Sequence, residues 1–112
     1  MAQNKDIKIK KVRGDTIAFG VSITNLDQDL SSAYFSCKTD PDATGYIFQK
    51  SLSNGITKVE TGKYRVRVAP EDTHDVEPGT YYYDLQIGLN GDIFTVMKGK
   101  LILESDITRE AN

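Results

Sequence analysis

The chain carries one thiol, Cys37, and one imidazole, His74. A cysteine nucleophile needs a base close enough to take its proton. Cys37 alternates with Ala33 and Phe35 along an extended run, which places it on the apolar side of a strand. His74 sits in an acidic turn, Glu71-Asp72-Thr73-His74-Asp75. That setting predicts an inert core thiol and a solvated histidine, so no catalytic residue is assigned. One cysteine and one histidine cannot complete a zinc site unaided. Asp27, Asp29, Asp40 and Asp42 occupy two loops that could converge, and calcium takes its oxygens from such loops. No D-x-D-x-D-G run accompanies them, so they read as ordinary acidic turn residues, and neither metal nor cofactor is assigned. Gly99-Lys100 lacks the upstream glycine of a phosphate loop; Phe94 stands in its place.

Two side-chain groups could act by contact. Lys63, Arg65 and Arg67 alternate with Tyr64, Val66 and Val68, which predicts a basic outer face with its cations paired across strands to acids. The second group depends on the stretch Gly79-Thr80-Tyr81-Tyr82-Tyr83-Asp84-Leu85-Gln86-Ile87. Its side chains alternate between two faces, and Asn90-Gly91 behind it is the dipeptide of a type I′ hairpin. A two-residue turn there sets Ile87 against Phe94, Leu85 against Val96, Gln86 against Thr95 and Asp84 against Met97. Tyr82, Ile93 and Met97 then share the outward side. Apolar residues on a face that should be polar form a candidate subunit-contact face. An alternative use of exposed aromatics, Tyr34, Tyr46 or Tyr82, is a carbohydrate- or cell-surface-binding platform.

The elements that must hold these residues are strands. At 112 residues the chain is long enough for one domain with its own core, spanning 1–112 with loose tails at 1–5 and 105–112. A net charge of −2 and a pI near 5.3 give no general attraction to nucleic acid or an anionic membrane. No apolar run approaches the roughly 20 residues of a bilayer span, and the N-terminus does not read as a secretion signal. A single cysteine leaves no internal disulfide.

Period-2 alternation recurs along the chain. Ile7 and Ile9 alternate with lysines in a first strand suited to a sheet edge, with Val12 near its end. Ile17, Phe19, Val21 and Ile23 form the clearest run. Ala33 to Cys37, Tyr46 to Lys50, Ile56 to Glu60 and Lys63 to Val68 follow. Pro70-Glu71-Asp72-Thr73 opens a bend or one helical turn. Gly99 is expected to mark a bulge before Leu101-Ile102-Leu103. Sustained helical periodicity is absent. This predicts an all-β domain, an antiparallel sandwich of about seven to nine strands.

Glu77-Pro78-Gly79-Thr80-Tyr81 puts a tyrosine just after a glycine at the start of a late strand. That resembles the tyrosine corner of immunoglobulin-like sandwiches, and Tyr81 is the candidate. Tyr83 falls where such domains often carry their second disulfide cysteine, so a tyrosine must fill that space. Gly14-Asp15-Thr16, Leu30-Ser31-Ser32-Ala33, Gly62-Lys63-Tyr64, Pro70-Glu71-Asp72-Thr73, Pro78 to Asp84 and Gly99 occur in an order that resembles small immunoglobulin-like proteins of tailed bacteriophages and prophages. The N-terminal module of phage baseplate upper proteins is the nearest named group, over roughly residues 12–108. The resemblance implies a non-enzymatic structural or assembly protein of a tail or baseplate. Its location would be the virion, made in the bacterial host cytoplasm. Its partners would be other virion or tail proteins, or copies of itself in a homo-oligomer. Nucleic acid and membrane are not among them.

Overall fold

The computed structural model describes residues 5–24 and 26–107. The strands are β1 Lys5–Asp6, β2 Ile9–Val12, β3 Ile17–Ser22, β4 Ser32–Lys38, β5 Phe48–Leu52, β6 Gly55–Glu60, β7 Lys63–Val68, β8 Gly79–Leu89 and β9 Asp92–Glu104. One helical turn, α1 Pro70–Thr73, lies between β7 and β8. Hydrogen bonds join the strands in the order β1-β9-β8-β4-β5-β6-β7-β3, with β2 also on β9.

This path folds over on itself. Phe19 of β3 and Phe35 of β4 are far apart in the strand order, yet their rings meet edge-on at 5.3 Å. The layers are therefore β5-β4-β8-β9, with β1 and β2 along the free edge of β9, and β6-β7-β3. The chain changes layer at Ser53-Asn54, where β5 and β6 touch in parallel over only Ser51–Gly55 and Leu52–Ile56. Ser53 and Gly55 take positive φ at this corner (66° and 100°). The protein is an all-β, immunoglobulin-like antiparallel β-sandwich.

Alternation explains the core. Ala33, Phe35 and Cys37 from β4, Tyr64, Val66 and Val68 from β7, and Tyr81, Tyr83, Leu85 and Ile87 from β8 are all buried. Antibody domains, sandwiches of this general architecture, place a strand-C tryptophan against an inter-sheet disulfide. Here Phe35 takes the central place. It touches Tyr83 at 5.4 Å and Phe48 at 5.8 Å, besides Phe19. Tilted and edge-on ring pairs of this kind add about 0.5–1.5 kcal/mol each beyond area burial. Of these pairs, Phe19–Phe35 joins the two layers, where no disulfide can.

The hairpin turn is type I′ in character, with Asn90 at φ 55° and Gly91 at φ 87°. Ile87 opposes Phe94 and Gln86 opposes Thr95, as the turn requires. Beyond them the expected register is corrected. Leu85 faces Met97, not Val96, and Asp84 faces Lys98, not Met97. The bulge lies here and not at Gly99. The cause is parity: Phe94 and Val96 point inward at even positions, whereas Leu101 and Leu103 point inward at odd ones. One extra residue must intervene, because a one-residue slip exchanges the faces of a strand. Placing it at Val96 lets Val96 and Met97 both turn toward the core and leaves Lys98 and Lys100 outside.

Gly99 has another use. A Cβ there would collide with the Ile7 carbonyl oxygen. The missing side chain admits that carbonyl between β1 and β2, which is why the first strand is broken into two. At the ends of the chain, Lys5 lies in β1, and Arg13 forms an ion pair with Asp106 at 2.8 Å. The rest of the expected tails, 1–4 and 108–112, falls outside the described residues.

Candidate functional site

Because β4 and β8 bury alternate residues, the intervening ones share the outer face of β5-β4-β8-β9. Cross-strand register sets them in rows. Tyr34 is beside Gln86, which is beside Thr95; Ser36 is beside Asp84, which is beside Lys98; Lys38 is beside Tyr82, which is beside Lys100. Gln49 of β5 lies next to Ser36 and donates to its hydroxyl oxygen at 3.0 Å. The segment between β4 and β5 then folds over one side. Pro41 and Tyr46 line it, and the Lys38 ammonium stands 5.2 Å from the centre of the Tyr46 ring, a cation–π contact.

The result is a groove of about 680 Å³ with Tyr34, Tyr46 and Tyr82 around Asp84. Tyr34 and Tyr46 are 43% and 51% exposed, and Lys38 covers one face of the Tyr46 ring. Partial burial pushes the Asp84 carboxyl above the usual carboxylate range, and the nearby Lys38 pulls it partly back. No hydrogen bond or ion pair of Asp84 is found among the described residues. Lys38, Lys98 and Lys100 against Asp84 give the groove three cations and one acid. The chain as a whole carries a net charge of −2.

The residues of the expected contact face are not gathered in one place. Tyr82 lines the groove. Ile93 is exposed beside Gly88 at the hairpin tip. Met97 is half-buried and packs on the core, because the bulge at Val96 reverses its side. That face is therefore corrected: Lys98, not Met97, flanks Asp84. Its place in the groove was hidden in the sequence by the unplaced bulge.

Tyr81 donates its hydroxyl to the Glu77 carbonyl oxygen, four residues upstream, the contact that defines a tyrosine corner. Burial, and next the charge of Glu77, raise its phenol above the ordinary tyrosine range.

Cys37 is sealed in the core, and burial pushes its thiol up to about 12. His74 lies at the end of α1 with Nδ1 3.0 Å from the Asp75 carboxylate. Asp29 is engaged by Lys58 at 2.6 Å, and Asp40 accepts from the Asp42 amide in its own turn. No cluster of three or more potential metal ligands occurs among the described residues. In the basic stripe Lys63 pairs with Glu60 at 3.0 Å, whereas Arg65 and Arg67 lie opposite Gly20 and Ala18. No helix among the described residues is long and apolar enough to cross a membrane.

No sequence-family model matches the chain, and no curated protein matches it. Among solved structures, the natural killer cell receptor NKp44, described as a triggering partner in natural cytotoxicity, is similar over 89% of this chain and 99% of that chain, at 13% identity and a TM-score of 0.48.

Proposed function

We propose that this protein is a non-enzymatic contact module whose working surface is the outer face of β5-β4-β8-β9. The observation that carries this reading is the meeting of Tyr34, Tyr46 and Tyr82, from β4, the β4–β5 segment and β8, around one groove. Aromatic rings with a polar tip supply large contact area at low entropic cost, which is why recognition surfaces favour them. The setting we propose is the one the sequence resemblance implies: a structural or assembly component of a phage or prophage tail or baseplate, held in the virion by other tail proteins or by copies of itself. Mass spectrometry of particles purified after prophage induction tests the setting. Peptides of this chain in constant ratio to tail proteins are expected. Their presence in the lysate and absence from intact particles would exclude it.

A second reading, a module that binds carbohydrate at a cell surface, is favoured by the shape and lining of the groove. Subunit contacts bury a largely apolar, charge-poor centre. This groove instead sets lysines, an aspartate and amides between its tyrosines. The two readings are compatible in a tail component that touches its host.

A further inference from the structure

Asp84 occupies the middle of the groove floor. Its carboxylate loses hydration there, feels the charge of Lys38, and has no hydrogen bond or ion pair among the described residues. A buried or half-buried acceptor in that condition favours a ligand that brings hydroxyl or amide donors. Three tyrosines line the same groove, two of them exposed residues, and tyrosine rings suit the apolar C–H face of a sugar ring. Ser36, Gln49 and Gln86 add short polar side chains on the same floor. The volume, about 680 Å³, lies within the roughly 300–1,000 Å³ usual for small-ligand sites.

Charge narrows the class. Lys98 and Lys100 project side by side from β9, and neither has an ion pair among the described residues. Lys38 closes the opposite bank against Tyr46. The bulge at Val96 puts the two β9 lysines here, since without it they would turn inward. A surplus of two positive charges, three lysines less one aspartate, on a chain of net charge −2 is a local field that favours an anion.

We propose that the groove binds an anionic saccharide. Its rings stack on Tyr34, Tyr46 and Tyr82, its hydroxyls donate to Asp84, and its acidic substituent meets Lys98 and Lys100. This assignment rests on the groove being the contact surface proposed above. Single-stranded nucleic acid would also stack on tyrosines and seek lysines. Asp84, however, is an acid in the groove lining and offers a phosphodiester chain, charged at every nucleotide, only repulsion. An acidic peptide would satisfy the lysines and leave the sugar-like combination of ring faces and central acceptor unused.

Isotope-labelled protein titrated up to millimolar concentration with tetragalacturonate and with sialyllactose tests the assignment by amide chemical shifts. Shifts clustered at Tyr34, Ser36, Tyr82, Asp84, Lys98 and Lys100 are expected. Affinity should fall as salt rises, and should be about tenfold weaker for methyl-esterified tetragalacturonate and for lactose, the cost of losing a charge-assisted contact. Lys98→Gln with Lys100→Gln should abolish the preference for the acidic sugar, and Tyr46→Ala should weaken both members of each pair. Lys98, Lys100 and Tyr46 are exposed, so the variants should retain the wild-type melting temperature. Equal binding of acid and ester would overturn the anionic assignment and leave the groove a contact surface. Groove shifts with oligothymidylate or hexaglutamate as strong as those with the acidic sugars would overturn the saccharide assignment. So would no shift with any sugar, and particle incorporation would then judge the contact reading separately.

Discussion

The Tyr83 hydroxyl donates to the Ile7 carbonyl oxygen at 2.6 Å, across 76 residues of chain. Gly99 faces Tyr83 on the neighbouring strand, and its lack of a Cβ leaves the space that this carbonyl enters. The Ile7 amide in turn donates to the Lys98 carbonyl oxygen at 2.9 Å. Tyr83 thus ties the first strands to β8 and β9. Tyr83→Phe should cost about 1 kcal/mol, the usual net contribution of such a part-buried bond. Gly99→Ala should cost about 1–3 kcal/mol, since the backbone of Ile7 has to move. The double variant should lose less than the sum by at least about 0.5 kcal/mol, because both act through one carbonyl. Chemical denaturation of the four proteins reads this; strict additivity would show that Tyr83 and Gly99 act independently.

Tyr81→Phe removes a local tether, the bond to the Glu77 carbonyl oxygen at the entry to β8. A loss of about 1–1.5 kcal/mol is expected in denaturation at neutral pH. The folded-state phenol is raised above its ordinary value, so an unfolded chain ionises first as pH climbs. Stability that Tyr81 contributes is whole below the unfolded value and declines as pH rises through the folded one. The difference between wild type and Tyr81→Phe should therefore shrink in strongly alkaline solution. A gap that widens there would contradict the assignment.

Much of this architecture was legible because it rests on two local rules. Period-2 runs at Ile17–Ile23, Ala33–Cys37 and Tyr64–Val68 revealed their buried faces, and Asn90-Gly91 gave the turn and its first pairs. The register beyond Gln86 was not legible in the same way. Val96 and Met97 are adjacent apolar residues, and only packing against the opposite layer decides where the extra residue goes. The bulge expected at Gly99 rested on the glycine alone, and glycine serves close approach as well as bulges, which is its use here. The groove was half legible. Its tyrosines stood out singly, but their meeting depends on the β4–β5 segment folding over β4 and on Lys98 and Lys100 turning outward. Neither follows from spacing along one strand.

Cys37 should behave as a small apolar side chain. With its thiol pushed up to about 12 and no surface exposure, almost no thiolate exists at neutral pH, and reagents cannot reach it. A disulfide-exchange reagent should label the native protein only at the rate of global opening and the denatured protein at once. Fast labelling of the native state would mean that β4 opens locally beside Phe48 and Tyr83. Cys37→Ala should cost only about 1 kcal/mol, as little volume is removed.

Asp84→Asn should stabilise the protein. The carboxyl is raised in the folded state, with burial as the leading cause and Lys38 opposing it. Lys98 and Ser36 are its cross-strand neighbours, and no bond to either is found among the described residues. An acid with a raised folded value favours folding least when both states are ionised. Its penalty is therefore absent below the unfolded value, appears as pH rises through the two values, and is complete at neutral pH. Asparagine keeps the size and removes the charge, so the melting temperature should rise at pH 7 and match wild type once pH falls below the carboxylate range. If the groove holds its ligand through Asp84, the same variant should bind the acidic sugars more weakly than wild type, because a carboxylate accepts hydroxyl donors more strongly than an amide does. Stability gained and binding lost from one substitution would identify Asp84 as a residue kept for recognition at the expense of the fold. A variant that melts lower at pH 7 would show that the carboxylate has a structural partner, and would remove the reason to look for one in a ligand.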